Sequence, residues 1–441
     1  MAALHSVNDG FILCISHHRM KQNNHSKCKP MRKLLLICLI QLSLGSFAQK
    51  QVYIPEDLRG MNLNDTSSQW CWQRSVQTDN LVFFWEKGFG DDLQNPPALD
   101  GHPMRFDLQN LEQRVESFYD FFRDTLKFTL PGSKAERFKM MVMVMYSLDG
   151  TAYGGTYDDF IGALWVAPNR IQDRKLNCLA HELGHSFQLQ IPADSTGEAW
   201  GGSGFYEMTS QWMLWQVNPD WVKDEQYHFD AFKSLTHKAY LSMENIYHSP
   251  YVIQWWSDLR GKTAIGDLYR AGRIGEDPVM TYKRLYSLSQ SEFCDEMLRG
   301  YQHLVNFDFK HARRETRPYA CTFSCKLDTL QGGWLRPHDL PEEYGFNAIE
   351  LPLAKRTRIE MVGDRLRYGF VGVTTSGETV YGEMNKPEFR QPKGKQLQHL
   401  YLVVMGAPLE HEQLYRHHRH GGYGFEHAPV PTVFPYQFRI K

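Results

Sequence analysis

Residues 80–85 read NLVFFW, a short apolar and aromatic run that predicts a strand. Over residues 107–128 the apolar positions Leu111, Val115, Phe118, Phe121 and Phe122 recur at helical spacing. RFKMMVMVMY (137–146) and IGALWVA (161–167) are again continuous apolar runs and predict two more strands, the second following a Gly-rich turn at Gly154-Gly155. Residues 175–190 are amphipathic and predict a helix. The order strand, helix, strand, strand, helix is that of a small α/β layer whose last strand lies beside its last helix.

From residue 204 to about 301 the spacing is helical, in GFYEMTSQWMLWQV, HFDAFKSLTHKAYL, SPYVIQWWSDL and SEFCDEMLRGY. Aromatic stripes dominate these segments and predict core packing. Beyond residue 340 the texture changes to short apolar segments split by Gly, Pro and polar turns: AIELPL, RYGFVGV, HLYLVVMG and VFPYQFRI. That pattern predicts a small all-β sandwich. The expected organisation is therefore an upper α/β part (49–203), a helical lower part (204–340) and a C-terminal β-sandwich (341–441).

The first 48 residues read as a segment to be removed. Met31-Arg32-Lys33 gives a short basic start, residues 34–44 an apolar stretch too short for a comfortable transmembrane helix, and Ser46-Phe47-Ala48 a small-residue end. The signal proper is residues 31–48, behind an upstream segment, and the expected destination is secreted or periplasmic, in contact with the cell surface, without a transmembrane anchor. Removing residues 1–48 takes away six Lys/Arg and one Asp, leaving 43 basic against 49 acidic residues, a net −6. That mild acidity argues against nucleic acid as a partner. Five cysteines remain, Cys71, Cys178, Cys294, Cys321 and Cys325, an odd number that excludes a disulfide scaffold; the spacing of Cys321 and Cys325 allows a bridge without requiring one.

Inside the predicted helix lies HELGH, residues 181–185. Four residues apart on a helix, His181 and His185 project from one face and can grip one ion. Glu182 points about 100° further round, beside the ion, where a carboxylate can activate a bound water. A catalytic zinc wants a third protein ligand and an open position. Asp194, Glu198 and Glu207 are the candidates, and Glu207 is favoured because GGSG (201–204) gives a flexible approach to a helix that would hold its carboxylate rigidly. Gln211, one turn on, is a candidate outer partner of a ligand. Ile191 and Gln188 occupy positions where a metzincin would have His and Gly, which excludes that class.

HELGH followed by a helical Glu resembles the gluzincin group of zincin metallopeptidases, and the longer strings HELGHSFQ and GFYEMTSQWMLWQV resemble an uncharacterised family of secreted bacterial zincin-like proteins. The resemblance spans about residues 75–310. It implies a zincin-like α+β catalytic domain with one Zn2+ on His181, His185 and Glu207, and Glu182 as general base. It also implies that residues 161–167 form an edge strand, with Leu164, Trp165 and Val166 against an extended peptide. No short pattern marks the donor to the transition-state oxyanion. The candidates are His248 and Tyr251, with Tyr206 and Tyr247 behind them. The expected activity is hydrolysis of peptide bonds in a protein, peptide or glycoprotein, with the C-terminal domain touching a glycan or cell surface. The alternative is an inactive or non-peptidase zincin-like protein that binds surface glycans. Two further stretches, Asp158-Asp159 and HHRHGGYGFEH (417–427), read as a solvated turn and an exposed loop.

Overall fold

The computed structural model describes residues 49–413 and 430–441, with the backbone of residues 416–417 and 423–424. The expected signal segment and most of the histidine-rich stretch at 417–427 lie outside the described residues. The N-terminal sheet contains six strands: β1 (Gln51–Val52), β2 (Ser75–Gln77), β3 (Leu81–Trp85), β4 (Phe138–Val144), β5 (Ala152–Tyr157) and β6 (Ile161–Val166), in the order β2-β3-β4-β6-β5, with β1 also on β4. β3, β4 and β6 are parallel, and their runs are buried on both faces, as continuous apolar sequence requires. β5 pairs antiparallel with β6 and forms the edge.

That edge corrects the expectation for residues 161–167. Leu164, Trp165 and Val166 pair with β4 on one side and with β5 on the other, so no backbone edge is left on β6 for a peptide. The chain turns at Asp158 and Asp159, both at positive φ (53° and 48°), and Gly154 and Gly155 lie inside the strand. Asp158 is tied down by the Tyr53 hydroxyl and the Glu56 N–H.

One face of this sheet is covered by α1 (Leu108–Asp120), which continues into a π-helical turn, and by α2 (Asn177–Ala193), which carries HELGH. Leu179, Leu183, Phe187 and Ile191 of α2 are buried, with Phe187 edge-on to Tyr119 and Phe122. α3 (Gly204–Val217) packs across α2, capped at its start by the Ser203 hydroxyl. A helical region follows: α4 (Gln226–Leu235), α5 (Tyr251–Arg260), α6 (Ala264–Ala271), α7 (Pro278–Leu285) and α8 (Gln290–Val305).

The C-terminal β region begins before residue 341. β7 (Leu327–Thr329) and β8 (Leu335–Pro337) join a five-stranded sheet, β13-β10-β17-β8-β7, with β10 (Arg356–Gly363), β13 (Glu388–Arg390) and β17 (Tyr436–Ile440). The second sheet is β12-β11-β14-β9, from β9 (Phe346–Glu350), β11 (Leu366–Thr374), β12 (Thr379–Tyr381) and β14 (Leu397–Gly406). Phe370, Leu400, Leu402 and Val404 share a small core with Phe438 of the five-stranded sheet. The alternate residues Val371, Val373, Tyr401, Val403 and Met405 join the main core beside α8, so this sheet is buried on both faces. Residues 49–441 make one compact unit.

Candidate metal centre

On α2, His181 and His185 lie one turn apart, 8% and 5% exposed. α3 crosses at Gly184: a Cβ there would meet the Ser210 Oγ at 2.5 Å, and that hydroxyl is anchored on the His181 carbonyl. This close crossing brings Glu207, in the first turn of α3, onto the two imidazoles. Glu207 Oε2 lies 3.2 Å from His181 Nε2 and 3.1 Å from His185 Nε2, and the two Nε2 atoms are 3.0 Å apart. The expected trio is thus brought together, and Gln211 faces it as expected.

Two glutamines fix the tautomers. Gln211 Nε2 donates to the Tyr247 carbonyl (3.2 Å), which leaves its Oε1 to accept from His181 Nδ1–H at 2.7 Å. Gln188 Nε2 donates to the Tyr206 carbonyl (2.9 Å) and the Tyr269 hydroxyl (2.7 Å), and its Oε1 accepts from His185 Nδ1–H at 2.8 Å. With both protons held on Nδ1, each Nε2 presents a lone pair, and both face a carboxylate oxygen. Three acceptors with no proton among them repel one another unless a cation sits between them. Their mutual distances approach the edge of about 3.3 Å that bonds of about 2.0–2.1 Å make in a tetrahedron, so the donor set fits zinc. Among the described residues this is the one such cluster of three.

Burial pushes the Glu207 carboxyl up; a proton on Nε2 of His181 or His185 would outweigh burial and hold it below the usual range, and with both protons on Nδ1 that place is left to a cation. Glu182 goes the other way: burial pushes it to about 7, with the Glu207 charge adding to the rise and His181 and the Gly154 N–H opposing it. A carboxyl poised there exchanges protons readily at neutral pH. The Gly154 N–H reaches Glu182 because β5 lies directly on α2; a Cβ on Gly154 would overlap the Glu182 backbone carbonyl.

The three side chains open into a cleft of about 490 Å3. β5 and Arg170 line one side, Glu225, Tyr227, His228 and Tyr247 the other. The Tyr247 ring centroid lies 6.0 Å from that of His181, and burial with the nearby Glu207 and Glu182 charges pushes its hydroxyl to about 12, so it remains an O–H donor. Tyr206 stacks on His185 at 4.1 Å. Neither leading oxyanion candidate from the sequence lines the cleft. Tyr251 is 1% exposed among Trp215, Phe229, Phe232 and Phe307 at the start of α5. His248 sits behind His228, its Nδ1 2.8 Å from that of His228, and burial with the His228 charge pushes it down to about 4.

The other carboxylates considered as ligands are used elsewhere. Asp194 accepts from the Ser133 hydroxyl and the Lys134 N–H, and Glu198 from the Ala199 and Trp200 N–H groups. Cys71, Cys178, Cys294, Cys321 and Cys325 are all free thiols, so Cys321 and Cys325 are not joined. Cys178 borders the cleft, but burial and the Glu182 charge push its thiol to about 12. The sequence analysis used Gln188 only to exclude a metzincin and not as a partner of His185, although it follows His185 by three residues and so shares its helical face.

No curated protein matches the chain. Among solved structures it is similar to the ZmpB metallopeptidase from Clostridium perfringens, with 13% identity, a TM-score of 0.31, and coverage of 79% of this chain and 68% of that one. It is also similar to the M60 catalytic domain with the CBM51-1 and CBM51-2 domains of Clostridium perfringens ZmpB, with 13% identity, a TM-score of 0.32, and coverage of 81% of this chain and 38% of that one. No helix among the described residues is long and apolar enough to cross a membrane. A family model matches residues 45–441, and the chain belongs to that family, the family of unknown function DUF6055.

Proposed function

We propose that the protein is an exported, zinc-dependent peptidase of zincin type that hydrolyses peptide bonds of proteins or glycoproteins. The observation that carries this reading is the convergence of His181 Nε2, His185 Nε2 and Glu207 Oε2 at 3.0–3.2 Å with both Nδ1 protons committed to glutamine oxygens. Zinc held by these three supplies Lewis acidity toward a water and a peptide carbonyl. Glu182 takes the proton of the attacking water at its carboxylate and returns it to the leaving amine. The Tyr247 hydroxyl donates to the oxygen on which charge develops. The outward edge of β5, which contacts α2 at Glu182, supports an extended chain laid across the cleft as an added strand.

Mass-spectrometric profiling of a diverse peptide library with purified residues 49–441, beside Glu182→Gln and with zinc measured, tests this. One zinc per chain and cleavage by the wild type alone are expected. Absence of zinc, or full activity in Glu182→Gln, would overturn it.

A further inference from the structure

Arg170 ends the 3-10 turn Pro168–Arg170 directly after β6, and its Nε donates to the Gly150 carbonyl in the loop that leads into β5. Among the described residues no hydrogen bond or ion pair engages the two terminal nitrogens of the guanidinium, which lines the cleft. Arg170 is exposed and lines the cleft together with Glu182, Cys178 and Tyr227.

Among the described residues Arg170 is the one Lys or Arg lining this cleft, and no carboxylate pairs with it. The neighbouring acids have other partners. Glu207 is bound to the two histidines, Glu225 accepts from Asn177 Nδ2 and Trp221 Nε1, and Glu182 accepts from the Gly154 N–H. Asp149, in the loop before β5, is turned onto the backbone N–H and hydroxyl of Thr151. Tyr153 and Tyr227, 55% and 63% exposed, frame the same opening with aromatic surface.

A guanidinium fork matches a carboxylate with two parallel N–H···O bonds, a geometry that an ammonium or a neutral donor does not reproduce. We infer that Arg170 is a specificity residue that binds a carboxylate of the substrate close to the scissile bond. This rests on the peptidase reading of the same cleft. The carboxylate can come from an acidic side chain, a free chain terminus or an acidic sugar; the chemistry at Arg170 is shared.

The test is a walk of one Glu along a neutral fluorogenic peptide, each member matched to its Gln twin. Two further pairs compare a free with an amidated C-terminus and a glycopeptide bearing an acidic sugar with its neutral counterpart. In the wild type one carboxylate member is expected to exceed its neutral twin in kcat/KM by about tenfold or more, mostly through KM. In Arg170→Gln that ratio falls to about one, and Arg170→Lys restores only part of it, with thermal melts confirming that both variants fold. Which pair shows the ratio identifies the source of the carboxylate.

The same pairs are measured for binding to Glu182→Gln by calorimetry, which needs no turnover. A carboxylate preference in binding that Arg170→Gln erases, with no cleavage by the wild type, keeps Arg170 as the carboxylate site and removes the peptidase reading together with the placement beside a scissile bond. Cleavage without any carboxylate preference, or a preference that survives in Arg170→Gln, overturns the inference and leaves the peptidase reading intact.

Discussion

At the scale of single residues, the proposed metal centre depends on the amides of Gln188 and Gln211 as much as on the three side chains that would hold the ion. Removing an acceptor from behind a ligating imidazole frees its tautomer and orientation, which typically costs 10- to 100-fold in metal affinity. Gln188→Leu and Gln211→Leu are each expected to lose about that much zinc affinity in competition with a chelator. Retention of wild-type affinity in both would show that the imidazoles are oriented by something else. Tyr247 and Tyr251 lie four positions apart in the sequence, yet only the first reaches the cleft. Tyr247→Phe is expected to lower kcat by about 10²-fold with little change in KM, the effect of deleting one oxyanion donor, whereas Tyr251→Phe leaves kcat unchanged. The sequence named both tyrosines and put Tyr251 ahead of Tyr247, the one that lines the cleft. Which of them faces the cleft depends on where α5 starts: Tyr251 is its first residue and turns into the core, Tyr247 lies in the turn before it, and no motif marks that boundary.

At the scale of elements, the joint between β5 and α2 positions Glu182, the proposed general base. Gly154 exists as glycine because its Cα rests on the Glu182 peptide unit. Gly154→Ala forces the strand away from the helix and removes the N–H that holds the Glu182 carboxylate, so kcat/KM is expected to fall by about tenfold or more, with a lower Tm. Unchanged kinetics in a folded Gly154→Ala would sink this assignment. The helix of HELGH and the helix of Glu207 were legible because their apolar spacing is regular and their polar residues recur one turn apart. β5 was not, since AYGGTY contains the two glycines that ordinarily announce a turn. Here their small size serves contact with a helix, and the reversal is made by two aspartates. β10 escaped too: RTRIEMVG alternates charged and apolar residues, the mark of a strand with one wet face, and lacks the apolar run that drew attention to its neighbours.

At the scale of the whole molecule, the C-terminal sheets are fused to the helical region through α8 and a short junction at Glu343. The Glu343 carbonyl accepts from the Tyr240 N–H, and its side chain is 3% exposed with Oε2 lacking a hydrogen-bond partner among the described residues. Burial pushes this carboxyl to about 7, opposed by His411 and assisted by Glu412 and Asp277. Below an ordinary Glu value of 4.5 the folded and unfolded chains both hold the proton, and the residue costs nothing. Between 4.5 and about 7 the unfolded chain releases it while the folded chain retains it, so stability falls as pH rises and levels off above 7. Glu343→Gln is therefore expected to match the wild type near pH 4.5 and to exceed it at pH 8 by on the order of 2 kcal/mol in denaturant unfolding. An equal difference at both pH values would mean that the carboxyl is ionised freely in the fold. The alternation of β14 was readable in HLYLVVMG as an apolar strand, but a continuous apolar run does not say which two layers it separates. That required the partner of its second face, α8, about a hundred residues earlier.

The order of strands in the five-stranded sheet has a consequence for timing. β17 lies between β10 and β8, bonded to both, so the sheet has a gap at its centre until residues 436–440 have been synthesised. Phe438, buried from that strand, supplies the small C-terminal core from the same late position. A nascent chain therefore has no means of closing this part of the fold early. This sheet, with the small core that Phe438 completes, is therefore the last part of the molecule to lock.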